Sequence, residues 1–198
     1  MGHAFAEEIV FAAAALRRGE IVAYPTETFY GLGANALDEL ALARLRLLKG
    51  RGEDKTISVL VRGREMLDQL CKKPPARAVA LMERYWPGPL TIALPARRGL
   101  PPPLVSEGCV ALRESSHPTA RALVDSFGAP VTATSANLAG QPPATSAEAV
   151  EEVFDGRCRV LHGGTTPGGA PSTLVRVRGN RIEIVRQGAV EIARELVD

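Results

Sequence analysis

Cysteine, histidine and aromatic residues are scarce in this chain, and each scarcity removes a class of function. Its 198 residues include three cysteines, three histidines, one tryptophan, three tyrosines and five phenylalanines. Cys71, Cys109 and Cys158 are far apart and odd in number, with no C-x-x-C and no Cys/His ligand spacing. Neither a disulfide framework nor a zinc site is indicated. His3, His117 and His162 are equally isolated, so no metal-ligating set is expected. Aromatics at 5% argue against a surface of base-stacking platforms. A net charge of +2 does not by itself declare a nucleic-acid binder, so any cationic function must come from local clustering. No apolar run reaches the roughly 18 residues of a membrane span. The opening "MGHAFAEEIVFAAAALRRGE" has glutamates within its nonpolar run and arginines after it, the reverse of a secretory signal. A cytoplasmic protein without membrane association is expected.

What is present is an alternation of helix-like and strand-like segments, in a chain long enough for a sizeable core. "AEEIVFAAAALRRG" has helical spacing with acids first, arginines last and Gly19 as a stop. "EIVAYP" reads as a short buried strand. Asp38 can cap a helix over "ELALARLRLLKG" that Gly50 ends. "KTISVLV", "PLTIALP", "CVALR", "APVTATSAN" and "RVLHGG" read as strands, the fourth running into a loop. "PPARAVALMERYW" and "HPTARALVDSFG" read as helices. Thr145 and Glu148 have capping-box spacing for "SAEAVEEVF". "STLVRVRGNRIEIVRQG" predicts a hairpin turning at Gly179-Asn180, and "VEIAREL" a short closing helix. The pattern predicts an α/β fold with some antiparallel pairing.

In such sheets, polar residues just beyond strand ends are the usual site material. Five points qualify: Thr26-Glu27-Thr28, Lys49-Gly50-Arg51, Arg113, Ser135-Ala136-Asn137 and Arg186. Three are cationic and two offer hydroxyl and amide groups, which suits a phosphate-bearing anionic ligand. No Ser/His/Asp order competes with them. Each also has a plainer reading. Lys49 and Arg51 sit at a helix C-terminus, where the dipole favours cations. Ser135 and Asn137 can simply form a turn, Thr28 can cap local backbone, and Arg113 and Arg186 can be ordinary surface cations. "HGGTTPGGAPS", residues 162–172, suggests a mobile loop and lacks the ending of a P-loop.

"YPTETFYGLGANA", residues 24–36, loosely satisfies the G-x-G-x-x-G/A dinucleotide fingerprint. In that fold the first glycine follows the strand at once and the helix begins within the motif. Here Thr26 to Tyr30 intervene and the helix starts near Asp38, so the glycines read instead as a tight turn presenting the threonines.

"PTETFYGLGANA", "KGRGEDKTISVLV", "YWPGPLTIAL", "ALRESSHPTARAL", "TSANLAGQPPATSAEAV", "PSTLVRV" and "VRQGAV" occur in the order of the YrdC-like family, the L-threonylcarbamoyladenylate synthases, which the chain resembles from about residue 8 to residue 192. The resemblance implies a twisted open mixed sheet flanked by helices, with a deep cationic cleft. It also implies synthesis of threonylcarbamoyl-AMP and pyrophosphate from L-threonine, bicarbonate and ATP, with Mg²⁺ accompanying ATP. Other proteins then transfer the threonylcarbamoyl group to adenosine 37 of tRNAs that read ANN codons. Carried over by motif, Lys49, Arg51, Ser135, Asn137 and Arg186 contact the nucleotide, with Lys49 and Arg51 catalytic. Thr28, Arg113 and Ser172 hold threonine, and no protein metal site is implied. The family's longer members carry a second domain, so this chain looks like the short, single-domain form spanning residues 1–198.

Four departures from the family pattern stand out: Gly52, Thr134 and Gln187 where proline is usual, and Glu114-Ser115 where a proline often follows the arginine by two. They loosen backbone near the site without removing a functional side chain. Two other functions share the resemblance. One is a non-catalytic module binding double-stranded RNA or tRNA. The other is an enzyme acting on carbamoyl phosphate, whose additional zinc-finger and acylphosphatase domains this chain has neither room nor cysteines to supply.

Overall fold

A computed structural model describes residues 2–50 and 56–193. The first helix, α1 (Gly2–Arg17), leads into strand β1 (Val22–Pro25), which turns back antiparallel as β2 (Tyr30–Gly33). Helix α2 (Glu39–Lys49) follows, then β3 (Val59–Leu60), α3 (Gly63–Leu70), α4 (Ala76–Tyr85) and β4 (Leu90–Pro95). After β5 (Val105–Ser106) and β6 (Cys109–Arg113) come α5 (Pro118–Phe127), β7 (Val131–Thr132) and β8 (Thr134–Ser135). The described chain closes with α6 (Ala147–Phe154), β9 (Arg159–Val160) and the hairpin β10 (Thr173–Arg178) and β11 (Arg181–Arg186).

Two mixed sheets result, the α/β class expected. One has the order β8-β2-β1-β9, the other β11-β10-β4-β6-β3-β7, with β5 on the edge of β6. The segment from Val131 to Ser135 serves both. Its first half pairs antiparallel with β3, and after Ala133 its second half pairs antiparallel with β2. Thr132 reinforces the junction: its hydroxyl donates to Leu32 O at 3.1 Å and accepts from Ala34 N at 2.8 Å. Because β4 and β10 run parallel and β6 antiparallel to them, Thr91, Arg113 and Ser172 gather at one end of the larger sheet.

Local chemistry explains the helices. Asp38 accepts from Leu40 N and Ala41 N, and Gly50 ends α2 in the left-handed region at φ 58°. Pro118 starts α5 where its missing N–H costs nothing. Ala12, Ala13 and Ala15 of α1 let that helix approach α5, and both cover β1 in a cluster with Tyr24, Leu123 and Phe127. The larger cluster packs α2 and α6 with Leu32, Leu90, Ile92, Leu112 and Val175 of the strands.

Several local expectations need correction. Gly31 and Gly33 lie in β2 rather than in a turn, and the turn is Thr26 to Phe29. The glycines are required by a neighbour: the Tyr24 ring lies against β2, its hydroxyl donating to Thr132 O at 2.7 Å. Ser146, not Thr145, caps α6, accepting from Ala149 N at 3.2 Å. Helix α3 has no counterpart in the sequence reading; its Met66, Leu67 and Leu70 supply too short a stripe to announce it. In "VEIAREL" the part within the described residues, 190–193, carries no helix. A methyl group on Gly33 would lie 2.7 Å from Val131 Cγ1 and 2.8 Å from Tyr24 Cε1. Gly33→Ala is therefore expected to lower stability by about 1–3 kcal/mol, the usual cost of overpacking. Equilibrium denaturant unfolding measures it, and an unshifted midpoint would show that the ring is free to give way.

Candidate active site

The Thr26–Phe29 turn is held by one side chain. Thr26 Oγ1 donates to Phe29 O at 2.7 Å and accepts from the backbone N–H groups of Thr28 and Phe29 at 3.2 and 3.3 Å. Thr26 N closes the turn on Phe29 O at 3.1 Å. This fixes the buried Thr28 hydroxyl 3.1 Å from that of Thr26. The turn forms one wall of a cleft of about 390 Å³ between the two sheets. Thr91, Arg113, Ser172 and Arg186 come from the strand ends opposite, and Thr134 and Ser135 from the shared segment. The glycine-rich residues 162–172 are anchored beside it rather than loose. Tyr30 Oη donates to Gly164 O at 3.0 Å, and Gly168 N donates to Thr28 O at 2.8 Å.

Five of the eight sequence-predicted residues thus share one cleft: Thr28, Arg113, Ser135, Ser172 and Arg186. Ser172 is placed by the last residue of β11 and by β4. Arg186 Nη2 donates to Ser172 O at 2.8 Å, and Ser172 Oγ lies 2.8 Å from Thr91 Oγ1. Lys49 and Asn137 sit together just behind. Lys49, 4% exposed, donates through Nζ to Asn137 O at 2.9 Å, to Asn137 Oδ1 at 3.2 Å and to Ser135 O. Ser135 Oγ donates to Asn137 Oδ1 at 2.6 Å, and Asn137 Nδ2 to Gln141 O at 2.6 Å. Ser135 and Asn137 therefore do form the turn that the plainer reading allowed, with an ammonium beneath it. Arg51 lies outside the described residues.

The electrostatics of the cleft turn on Arg113. It is 7% exposed, and its Nη2 lies 2.7 Å from Glu27 Oε1. Its buried Nε and Nη2, and Glu27 Oε1, have no hydrogen-bond partner among the described residues, so the Arg113–Glu27 contact is an ion pair by distance and not by hydrogen-bond geometry. Arg186 is more open to solvent. Partial burial and then the charge of Arg113 lower its affinity for its proton. Two guanidiniums lining one cleft are chemically suited to an anionic group. Burial alone would raise the carboxyl of Glu27, but the Arg113 charge and a hydrogen bond from Ser115 together hold it below its ordinary value. Sequence reading placed Glu27 within the Thr26-Glu27-Thr28 point but assigned it no role. Its partners lie far along the chain, so no local signal marks it. No cluster of three or more His, Cys, Asp or Glu side chains suited to a metal occurs among the described residues.

A mixed α/β protein with a cleft lined by two arginines and several hydroxyls at its strand ends is the class that this geometry defines. The chain belongs to the Sua5/YciO/YrdC family, whose model, described as telomere recombination, matches residues 14–188. A threonylcarbamoyl-AMP synthase of Bacillus subtilis is 40% identical over 186 residues, 92% of this chain and 54% of that protein. One of Thiobacillus denitrificans is 38% identical over 168 residues, 84% of this chain and 89% of the relative. The crystal structure of P. abyssi Sua5 complexed with L-threonine superposes with a TM-score of 0.86 at 40% identity, covering 91% of this chain and 54% of the other. The chain thus spans about half the length of two of these proteins and most of the third.

The Glu27 carboxyl gives the site a testable acid limit. Its folded-state value is depressed below the ordinary 4.5, so its pairing stabilises the fold above that pH and is lost as pH falls through the folded value. Glu27→Gln cannot titrate. The unfolding free-energy gap between the native protein and this variant is therefore expected to be widest near neutrality and to shrink below about pH 4.5. A gap that stays constant from neutral to acid pH would show that the carboxylate has no favourable pairing.

Proposed function

We propose that this chain is a threonylcarbamoyl-AMP synthase acting as one domain, making L-threonylcarbamoyladenylate and pyrophosphate from L-threonine, bicarbonate and ATP. The observation that carries the reading is the convergence of Arg113, Arg186 and the Thr28 and Ser172 hydroxyls in one cleft. Family membership and the likeness to a threonine-bound relative support it. Arg113 takes the threonine carboxylate, while Thr28 and Ser172 address the amino acid's polar atoms. Arg186 stands between this pocket and the nucleotide. Ser135 and Asn137 are assigned to the nucleotide and its phosphates, and Arg51, outside the described residues, is assigned with them on the family motif alone. Lys49 contributes charge from beneath the Ser135–Asn137 turn.

The chemistry requires screening more than it requires a protein nucleophile. The amine of threonine condenses with bicarbonate to a carbamate, releasing water. A carbamate oxygen then attacks the α-phosphorus of ATP, and the bond to the bridging oxygen breaks so that pyrophosphate leaves with the electron pair. Carboxylate, carbamate and triphosphate are all anionic, and two fixed guanidiniums stabilise their approach without reorganising. Mg²⁺ enters with ATP, held by the phosphates, since the one carboxylate on the β1–β2 turn is committed to Arg113 and Ser115. The product would pass to proteins that modify adenosine 37 of ANN-decoding tRNAs, a cytoplasmic task. The synthase step needs no direct RNA contact, and salt-dependent RNA affinity without an ATP-dependent product would favour the RNA-binding module instead.

Purified protein given ATP, Mg²⁺, bicarbonate and threonine should yield threonylcarbamoyl-AMP by mass spectrometry. Pyrophosphate release should require both threonine and bicarbonate, and equal release with either omitted would reject the reaction. Serine lacks only a methyl group, so threonine should be preferred by roughly 10–200-fold in specificity constant. Indistinguishable constants would remove the Thr28–Arg113–Ser172 pocket from the reading.

A further inference from the structure

We propose that Glu27 is a positioning residue, holding the Arg113 guanidinium at the wall of the cleft for the substrate carboxylate. The proposal rests on the synthase reading of the cleft. Glu27 is approached at both oxygens: Oε1 lies 2.7 Å from Arg113 Nη2 as an ion pair without hydrogen-bond geometry, and Oε2 accepts from Ser115 Oγ. Ser115 is itself fixed, because its Oγ accepts from His117 N at 3.2 Å, at the residue that caps α5. The carboxylate therefore ties the β1–β2 turn to the chain leaving β6, across 88 residues of sequence.

Arg113 needs that tie. Arg186 lines the same cleft with a like charge, and among the described residues Glu27 is the one ion-pair partner of the Arg113 guanidinium. A carboxylate on one edge offsets that like charge and leaves the remaining donors for an incoming anion. It also sets the net charge. Two arginines against one paired carboxylate leave about one positive charge, enough for a single carboxylate to be drawn in and released again.

Isothermal titration of the full chain with L-threonine, and separately with Mg·ATP, tests the role. Glu27→Gln keeps the size and the contact with Ser115 but removes the charge. It is expected to weaken threonine binding by about tenfold or more, the scale of one charge-assisted contact, while Mg·ATP affinity stays within about twofold. Glu27→Asp keeps the charge on a shorter arm and should recover part of the loss. Ser115→Ala should weaken threonine binding by less. The double variant Glu27→Gln/Ser115→Ala should bind no worse than Glu27→Gln alone, because Ser115 acts only through Glu27. Unchanged threonine affinity in Glu27→Gln, equal weakening toward both ligands, or additive losses in the double variant would overturn the proposal. Failure of the unsubstituted protein to bind threonine would instead overturn the synthase reading beneath it.

Discussion

A buried guanidinium has to be neutralised, and the cleft is arranged around that requirement at Arg113. Removing a charge of this size from water is costly unless a partner lies close, with the partner's own remaining groups satisfied. Glu27 is that partner, and Ser115 satisfies its second oxygen. The positions of all three follow from the fold. The β1–β2 turn must be tight enough to point Glu27 inward, which Thr26 secures with its three bonds to the turn backbone. The end of β6 must lie beside that turn, and the two-sheet arrangement provides this.

The second requirement concerns a buried ammonium. Lys49 closes α2 with its ammonium buried beneath the Ser135–Asn137 turn, where three oxygens take the place of water. A lysine on a helix end is ordinarily solvated; here the last turn of α2 delivers it under the shared segment, and Ala139 N returns a bond to Lys49 O at 3.0 Å. Helix end and loop are thus fastened in both directions. The helix-dipole and ligand readings of Lys49 are not rivals, since one charge can complement the dipole and polarise the turn above it.

Much of this was legible in the sequence where the signal was local. The Asp38 cap, the Gly50 stop and the Gly179–Asn180 hairpin rest on chemistry within a few residues, and each stands where the sequence placed it. Arg113 and Arg186 were recognisable as polar groups at strand ends and Ser172 only through the family resemblance, and the structure gathers all three. What escaped depended on distant partners. Gly31 and Gly33 looked like a turn because nothing nearby reveals the Tyr24 ring lying against their strand. Glu27 looked like a spacer between two threonines because Arg113 and Ser115 are remote in the chain. Ser146 and Thr145 are adjacent and chemically equivalent as caps, so only the φ/ψ path of the chain decides between them.

The five residues from Val131 to Ser135 belong to both sheets at once. For a protein engineer the consequence is an uneven map of where the chain can be cut or lengthened. New termini or an inserted domain between Val131 and Ser135 would unfasten β3 from one sheet edge and β2 from the other in a single stroke. The Gly179–Asn180 corner, joining two strands at the outer margin of one sheet, is the natural place to open the ring for permutation or to graft a reporter.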